Sequence, residues 1–168
     1  MRNIKTKIFM TAAVMMLGIP AAMATDTDDF VKKAAIANQY EIETSKVALQ
    51  RSASTDVKAF AQMIIDDHTK AGADFAAAAK TGGIADAAIP TSLDEKHAKK
   101  LSKLNEEDAE DFDDEYLEEQ EEAHEKAISL FKDYADDGDN ASLKSFAAAT
   151  VPTLQKHKDQ VDALDAKY

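Results

Sequence analysis

The connection between Gly82-Gly83 and Asp108 restricts this chain more than any other stretch. On either side of it lie two long segments with apolar residues at helical spacing, each pair joined by a tight turn. Ser52-Ala53-Ser54 links the first pair and the region of Gly138 the second. Turns that short make antiparallel hairpins. The middle connection is roughly 28 residues and carries a helix of its own, enough to travel back along a bundle. Hairpin, long crossover, hairpin is the connectivity of ferritin-like bundles, whereas an up-and-down bundle needs only a short link. The chain is therefore predicted to be all-α: a ferritin-like four-helix bundle with a short crossover helix between the two hairpins.

The first helix is expected from Asp28 to Arg51, with Phe30, Ala34, Ala37, Glu41, Thr44 and Ala48 facing inward. The second is capped by Ser54 and runs to Lys80 before Gly82-Gly83 ends it. Its stripe is Val57, Phe60, Ala61, Ile64, His68, Ala71, Phe75. Ser92-Leu93-Asp94-Glu95 reads as a capping box opening the crossover helix, which continues through Leu104. The third bundle helix is placed from Asp108 to Asp136, with Phe112, Tyr116 or Leu117, His124, Ile128 and Phe131 inside. Asp139 or Asn140 caps the fourth, which reaches Ala166 through Leu143, Phe146, Leu154, His157 and Val161. Pro152 either kinks this helix or begins its second half.

Residues 1–24 read as an export signal rather than part of the fold. Arg2, Lys5 and Lys7 form a basic leader, Ile8 to Ile19 an apolar run, and Ala22-Met23-Ala24 a small-x-small cleavage site. Cleavage is expected after Ala24, which would deliver residues 25–168 to the periplasm as a single domain. The apolar run is short for a membrane span, and the mature chain offers none. There is no cysteine, so neither a disulfide framework nor a thiolate metal site can form. Formal net charge is −12, and loss of the three leader bases takes it to −15. A chain this acidic is unsuited to nucleic acid or anionic lipid and suited, at most, to attracting cations.

Depth along the helices singles out four polar residues. Glu41, His68, His124 and His157 each fall near the middle of their helix and on its apolar face. Three imidazoles and a carboxylate meeting at a bundle's midplane would form a site for one transition-metal ion, with zinc, copper or iron the natural candidates. Asp67 or Glu121 could support a ligand from behind. The competing reading is a buried hydrogen-bond network that only fixes helix register. Glu121-Glu122-Ala123-His124 contains the Glu-x-x-His of di-iron bundles, but Ile65 and Leu154 stand three residues before His68 and His157. The second carboxylate pair is missing, which argues against di-iron chemistry. Residues 106–122 carry twelve acids and no base, which reads as a solvated helix face more than as a cation sink. No catalytic residue set stands out, and the chain is read as more a binding protein than an enzyme.

Several stretches resemble the bacterial family called domain of unknown function 4142. They are Asp29-Phe30-Val31 through Glu41-Ile42-Glu43, Val57 to Ala61 with Met63 to His68, Phe112-Asp113 with Tyr116, His124, and Pro152-Thr153-Leu154 with His157. The resemblance spans nearly the whole mature chain and implies export and a ferritin-like fold. It implies no mechanism. The outer-membrane label carried by some members finds no barrel or span here. The expectation is thus an exported bundle that holds one metal ion and serves metal handling or envelope stress.

Overall fold

The computed structural model describes residues 26–168, so the expected signal and its cleavage site lie outside the described residues. Five α-helices follow one another: α1 (Thr27–Arg51), α2 (Thr55–Thr81), α3 (Glu95–Glu106), α4 (Phe112–Asp137) and α5 (Ala141–Asp165). A single 3-10 turn, Asp86–Ala88, precedes α3, and there is no strand among the described residues.

Local chemistry explains the boundaries. Asp26, Ser54 and Asn140 each accept a hydrogen bond from the first turn of the helix they precede. At α3 the cap differs from expectation. Asp94, not Ser92, accepts the His97 amide, so the helix starts two positions later than a Ser92 capping box requires. Either residue can cap, and the ionised oxygen is the stronger acceptor for amides at the positive end of a helix. α4 likewise begins at Phe112 rather than Asp108. α5 runs unbroken through Pro152. Ala148, whose carbonyl loses its usual partner there, is exposed to water.

Four helices pack around a common core in the order α1, α2, α5, α4 and back to α1. End contacts fix their directions. At one end Phe30 of α1 stacks on Tyr134 of α4, centroids 3.9 Å apart, while Asn140 before α5 donates to the Gly82 carbonyl after α2 at 2.8 Å. At the other end Arg51 donates to Leu104 O at 2.8 Å and to Glu107 O, and its guanidinium lies 4.7 Å over the Phe112 ring. Lys167 reaches back to Asp56 at the start of α2. All neighbours are therefore antiparallel, and the segment from Gly82 to Phe112 crosses the length of the bundle.

The interior is apolar at both ends and polar between. One cluster gathers Phe30, Phe75, Phe131, Tyr134, Leu143 and their neighbours. The other gathers Val57, Ile64, Leu104, Phe112, Tyr116 and Val161. Between them lie the buried polar residues Glu41, Thr44, Ser45, His68, Gln120, His124 and His157. Each apolar side chain buried contributes roughly 1.5–3 kcal/mol. The polar belt works against that gain unless its members find partners.

Candidate metal centre

Each long helix of the bundle delivers one group to the belt: Glu41 from α1, His68 from α2, His124 from α4 and His157 from α5. Helical spacing puts them there. His68 follows Ile64 by one turn, His124 precedes Ile128 by one turn, and His157 lies between Leu154 and Val161, all of them buried. The four side chains are 0–4 % exposed as residues, so bulk water reaches none of them freely.

The groups are close. The three imidazole rings sit 5.4–5.7 Å apart by centroid, and one ligand atom from each lies within 4.8 Å of the others. Glu41 Oε2 is 3.1 Å from His68 Nε2 and 3.3 Å from His124 Nε2. Neither contact has the direction of a hydrogen bond, and Glu41 Oε2, both His68 nitrogens, His124 Nε2 and His157 Nδ1 are buried without a partner. Orphaned atoms are rare in cores because each costs about 1–3 kcal/mol. Here several face one another.

The remaining ring atoms are fixed from outside. His124 Nδ1 lies 2.8 Å from the Gln120 carbonyl, which can only accept, so Nδ1 carries the proton and Nε2 is left as a lone pair. His157 Nε2 lies 2.9 Å from Asp67 Oδ2, and by the same logic Nδ1 is the free lone pair. Burial holds His68 and His157 below the ordinary histidine pKa, and the nearby carboxylates Glu41 and Asp67 only partly offset it. Both rings are thereby kept neutral, the form in which imidazole can donate a lone pair.

The other residues singled out by sequence fall less uniformly. Asp67 stands behind His157 and is half exposed, while its neighbour Asp66 faces solvent and takes a bond from Gln62. Glu121 turns to Lys158, 3.1 Å away, on the α4–α5 surface, and supports none of the imidazoles. Glu121, one of the two possible supports, lies about 100° around α4 from the inward-facing Gln120 and pairs with a lysine instead. The Glu-x-x-His match has no structural counterpart here. Gln120, which sequence reasoning passed over, is fully buried beneath His124 and donates to Thr44 Oγ1 at 2.9 Å. The signal for it was a lone amide within the run Glu118-Glu119-Gln120-Glu121-Glu122, one turn before His124. Thr44 in turn donates to the Tyr40 carbonyl, and Ser45 pairs with Tyr116 at 2.9 Å. These bonds underpin the centre on the side of α1 and α4.

Comparison with known proteins bears on family and fold. The family model described as a domain of unknown function (DUF4142) matches residues 13–164. Among solved structures, a DUF305 fragment from Deinococcus radiodurans superimposes with a TM-score of 0.72 at 15% identity, covering 86% of this chain and 99% of its own. A DUF305 protein from Streptomyces coelicolor, provisionally described as secreted, gives a TM-score of 0.66 at 14% identity, covering 82% and 90%. At such identities the likeness is one of helical fold alone. No curated protein sequence matches the chain.

Proposed function

Taking as premise that the chain belongs to the DUF4142 family, we propose that it is an exported, ferritin-like bundle whose centre binds one transition-metal ion through His68, His124, His157 and Glu41. The observation that carries this reading is the set of buried lone pairs with no partner, one or more from each of four helices, converging on one another. A purely structural network would pair these atoms among themselves; here they face inward unpaired. Tetrahedral zinc, with ligand distances of about 2.0–2.1 Å, places its ligand atoms about 3.3 Å from each other. Glu41 Oε2 already keeps 3.1 and 3.3 Å from two imidazole nitrogens. The nitrogens themselves stand up to 4.8 Å apart, so binding would draw the rings inward.

The donor set of neutral imidazoles and one carboxylate suits zinc, copper or iron. Asp67 would orient His157 and raise its basicity, as outer carboxylates do for metal-bound imidazole. The physiological setting we assign is metal handling or envelope stress in the periplasm, supported by the leader-like residues 1–24 and the acidic, cysteine-free mature chain. No helix among the described residues is long and apolar enough to cross a membrane.

Elemental analysis of untagged protein purified from periplasm without chelators tests the reading. About one equivalent of a transition metal per chain is expected. A His68→Ala, His157→Ala double variant that remains folded should lose it. Metal-free protein in both cases, even after reconstitution, would make the belt a hydrogen-bond network.

A further inference from the structure

On the outside of the bundle, along the seam between α1 and α4, lies a groove of about 610 Å³. α3 covers part of that seam, and its cover stops at His97, whose ring meets Tyr40 edge-on with centroids 5.1 Å apart. Beyond His97 the groove floor is apolar: Ile36, Ala37, Ala123, Ala127 and Leu130. Its rim is charged but largely paired, Lys33 with Asp29, Lys100 with Glu119 and Glu122, and Lys126 with Glu122. Inside the bundle, a second space of about 30 Å³ adjoins the centre, with Glu41 and His68 at one end. Ala37 and Ala127 line both spaces. Two methyl groups are thus the wall shared by the outer groove and the pocket beside the unpartnered atoms.

The inner pocket suits water. A water needs roughly 10–15 Å³ by the same measure, and Glu41 Oε2, the His68 nitrogens, Asn38 and Thr150 supply polar partners. A cation arriving there can exchange its own waters for Glu41 and His68 one at a time, which avoids the cost of stripping it bare. Three of the four seams are crossed by polar side chains near this level. Asn38 fills the α1–α2 seam against Gly72, where a Cβ would lie 3.2 Å from its amide nitrogen. The His157–Asp67 bond of 2.9 Å spans the α2–α5 seam. Lys158, largely buried, crosses the α4–α5 seam to Glu121 at 3.1 Å. On the fourth seam, Tyr40 of α1 donates to Glu119 of α4 at 2.8 Å, and Thr27 pairs with Tyr134 at the far end. Between those two ties, among the described residues, no hydrogen bond or ion pair joins 31–39 to 125–133. We propose that a hydrated transition-metal cation reaches Glu41 and His68 across the α1–α4 seam, passing from the outer groove into the inner pocket between Ala37 and Ala127. Such a path presupposes that the centre binds metal, as read above.

The chain has no cysteine, so a single introduced thiol can be capped selectively. Ala123→Cys lies in the groove floor, one turn before Ala127. The competing way in is the α2–α5 seam, where Ala71 and Thr150 line the inner pocket and are partly exposed. Thr153→Cys covers it from outside: Thr153 is exposed and follows by seven residues Phe146, which packs on Phe75 of α2. Each variant is capped either with a methyl disulfide or with a bulky aromatic one and checked for an unchanged helical spectrum. Uptake of zinc or copper is followed by stopped flow against a coloured chelator, and affinity by titration. The bulky cap on Ala123→Cys should slow uptake and release several-fold with affinity unchanged, whereas the same cap on Thr153→Cys should leave both rates alone. Equal rates with both caps on Ala123→Cys, or slowing as large in Thr153→Cys, would overturn the path while the metal site stands. Ala37→Leu narrows the same point from α1 without a label and should reproduce the slowing, and uptake at the wild-type rate in that variant counts against the path. Wild-type protein that takes up neither ion overturns the metal site, and the path with it.

Discussion

His157 donates its Nε2–H to Asp67 Oδ2 across 2.9 Å, and this one bond decides which nitrogen the ring presents to the centre of the bundle. The acceptor is half exposed and the ring is buried, so the contact runs from surface to core. Asp67→Ala should therefore free the ring to rotate and to change tautomer. Metal affinity is expected to fall by about 10–100-fold, with the fold retained. A competition titration against a chelator measures it, and an unchanged affinity would remove Asp67 from the site.

His68 is the imidazole with both nitrogens unpartnered. Replacing it with leucine exchanges a buried polar ring for an apolar side chain of similar volume, so the metal-free protein should melt at the same temperature or higher. The gain in stability on adding metal, about 2.7 kcal/mol at a hundredfold excess over the dissociation constant, should be largely lost. Thermal melts with and without metal distinguish this from a register-fixing role, in which there is no metal-dependent gain to lose.

The lowered pKa values of His68 and His157 fix the direction of a pH effect. Above the ordinary value of 6.5 both rings are neutral folded or unfolded, and they contribute no pH dependence. Below it the unfolded chain takes up protons that the folded chain resists. Stability of the metal-free protein should fall as pH drops, by up to about 1.4 kcal/mol per unit for each ring. The fall continues until the lowered folded values are passed. Denaturant melts from about pH 8 to about pH 5.5 should show a slope that is shallower in His68→Leu.

Gly138 closes α4 with an ordinary negative φ, so it is not conformation that requires a glycine there. A Cβ at this position would lie 2.5 Å from the Tyr134 carbonyl and 2.7 Å from its ring. Gly138→Ala should cost about 1–3 kcal/mol through displacement of Tyr134, and with it the stack on Phe30. Gly83, by contrast, has φ +80 and open space around it, so Gly83→Ala should destabilise through the backbone alone. Chemical denaturation of the two variants, with near-ultraviolet dichroism to follow the tyrosine, tests the distinction.

Much of this was legible in periodicity. The stripe through Val57, Phe60, Ile64, His68 and Phe75 told which face of α2 is buried, and counting along four helices brought Glu41 and three histidines to one level. Spacing on a helix predicts that level to within a turn, which suffices for long side chains that meet at an axis. It does not resolve competition between neighbours. Ser92 and Asp94 could each cap α3, and the structure uses Asp94. Glu121 and Gln120 are one residue apart, hence about 100° apart around the helix, and only the second points inward. Nor could spacing reveal Lys158, whose pull on Glu121 comes from a different helix.

That each long helix supplies one group to the centre has a consequence for how the chain assembles. No two of these residues are near neighbours in sequence, and the α1–α2 hairpin holds only Glu41 and His68, the α4–α5 hairpin only His124 and His157. On the metal reading, an ion meeting a single hairpin would therefore find only two of the four groups. The full set would exist only once both hairpins dock, so occupancy of the centre would report that folding is complete.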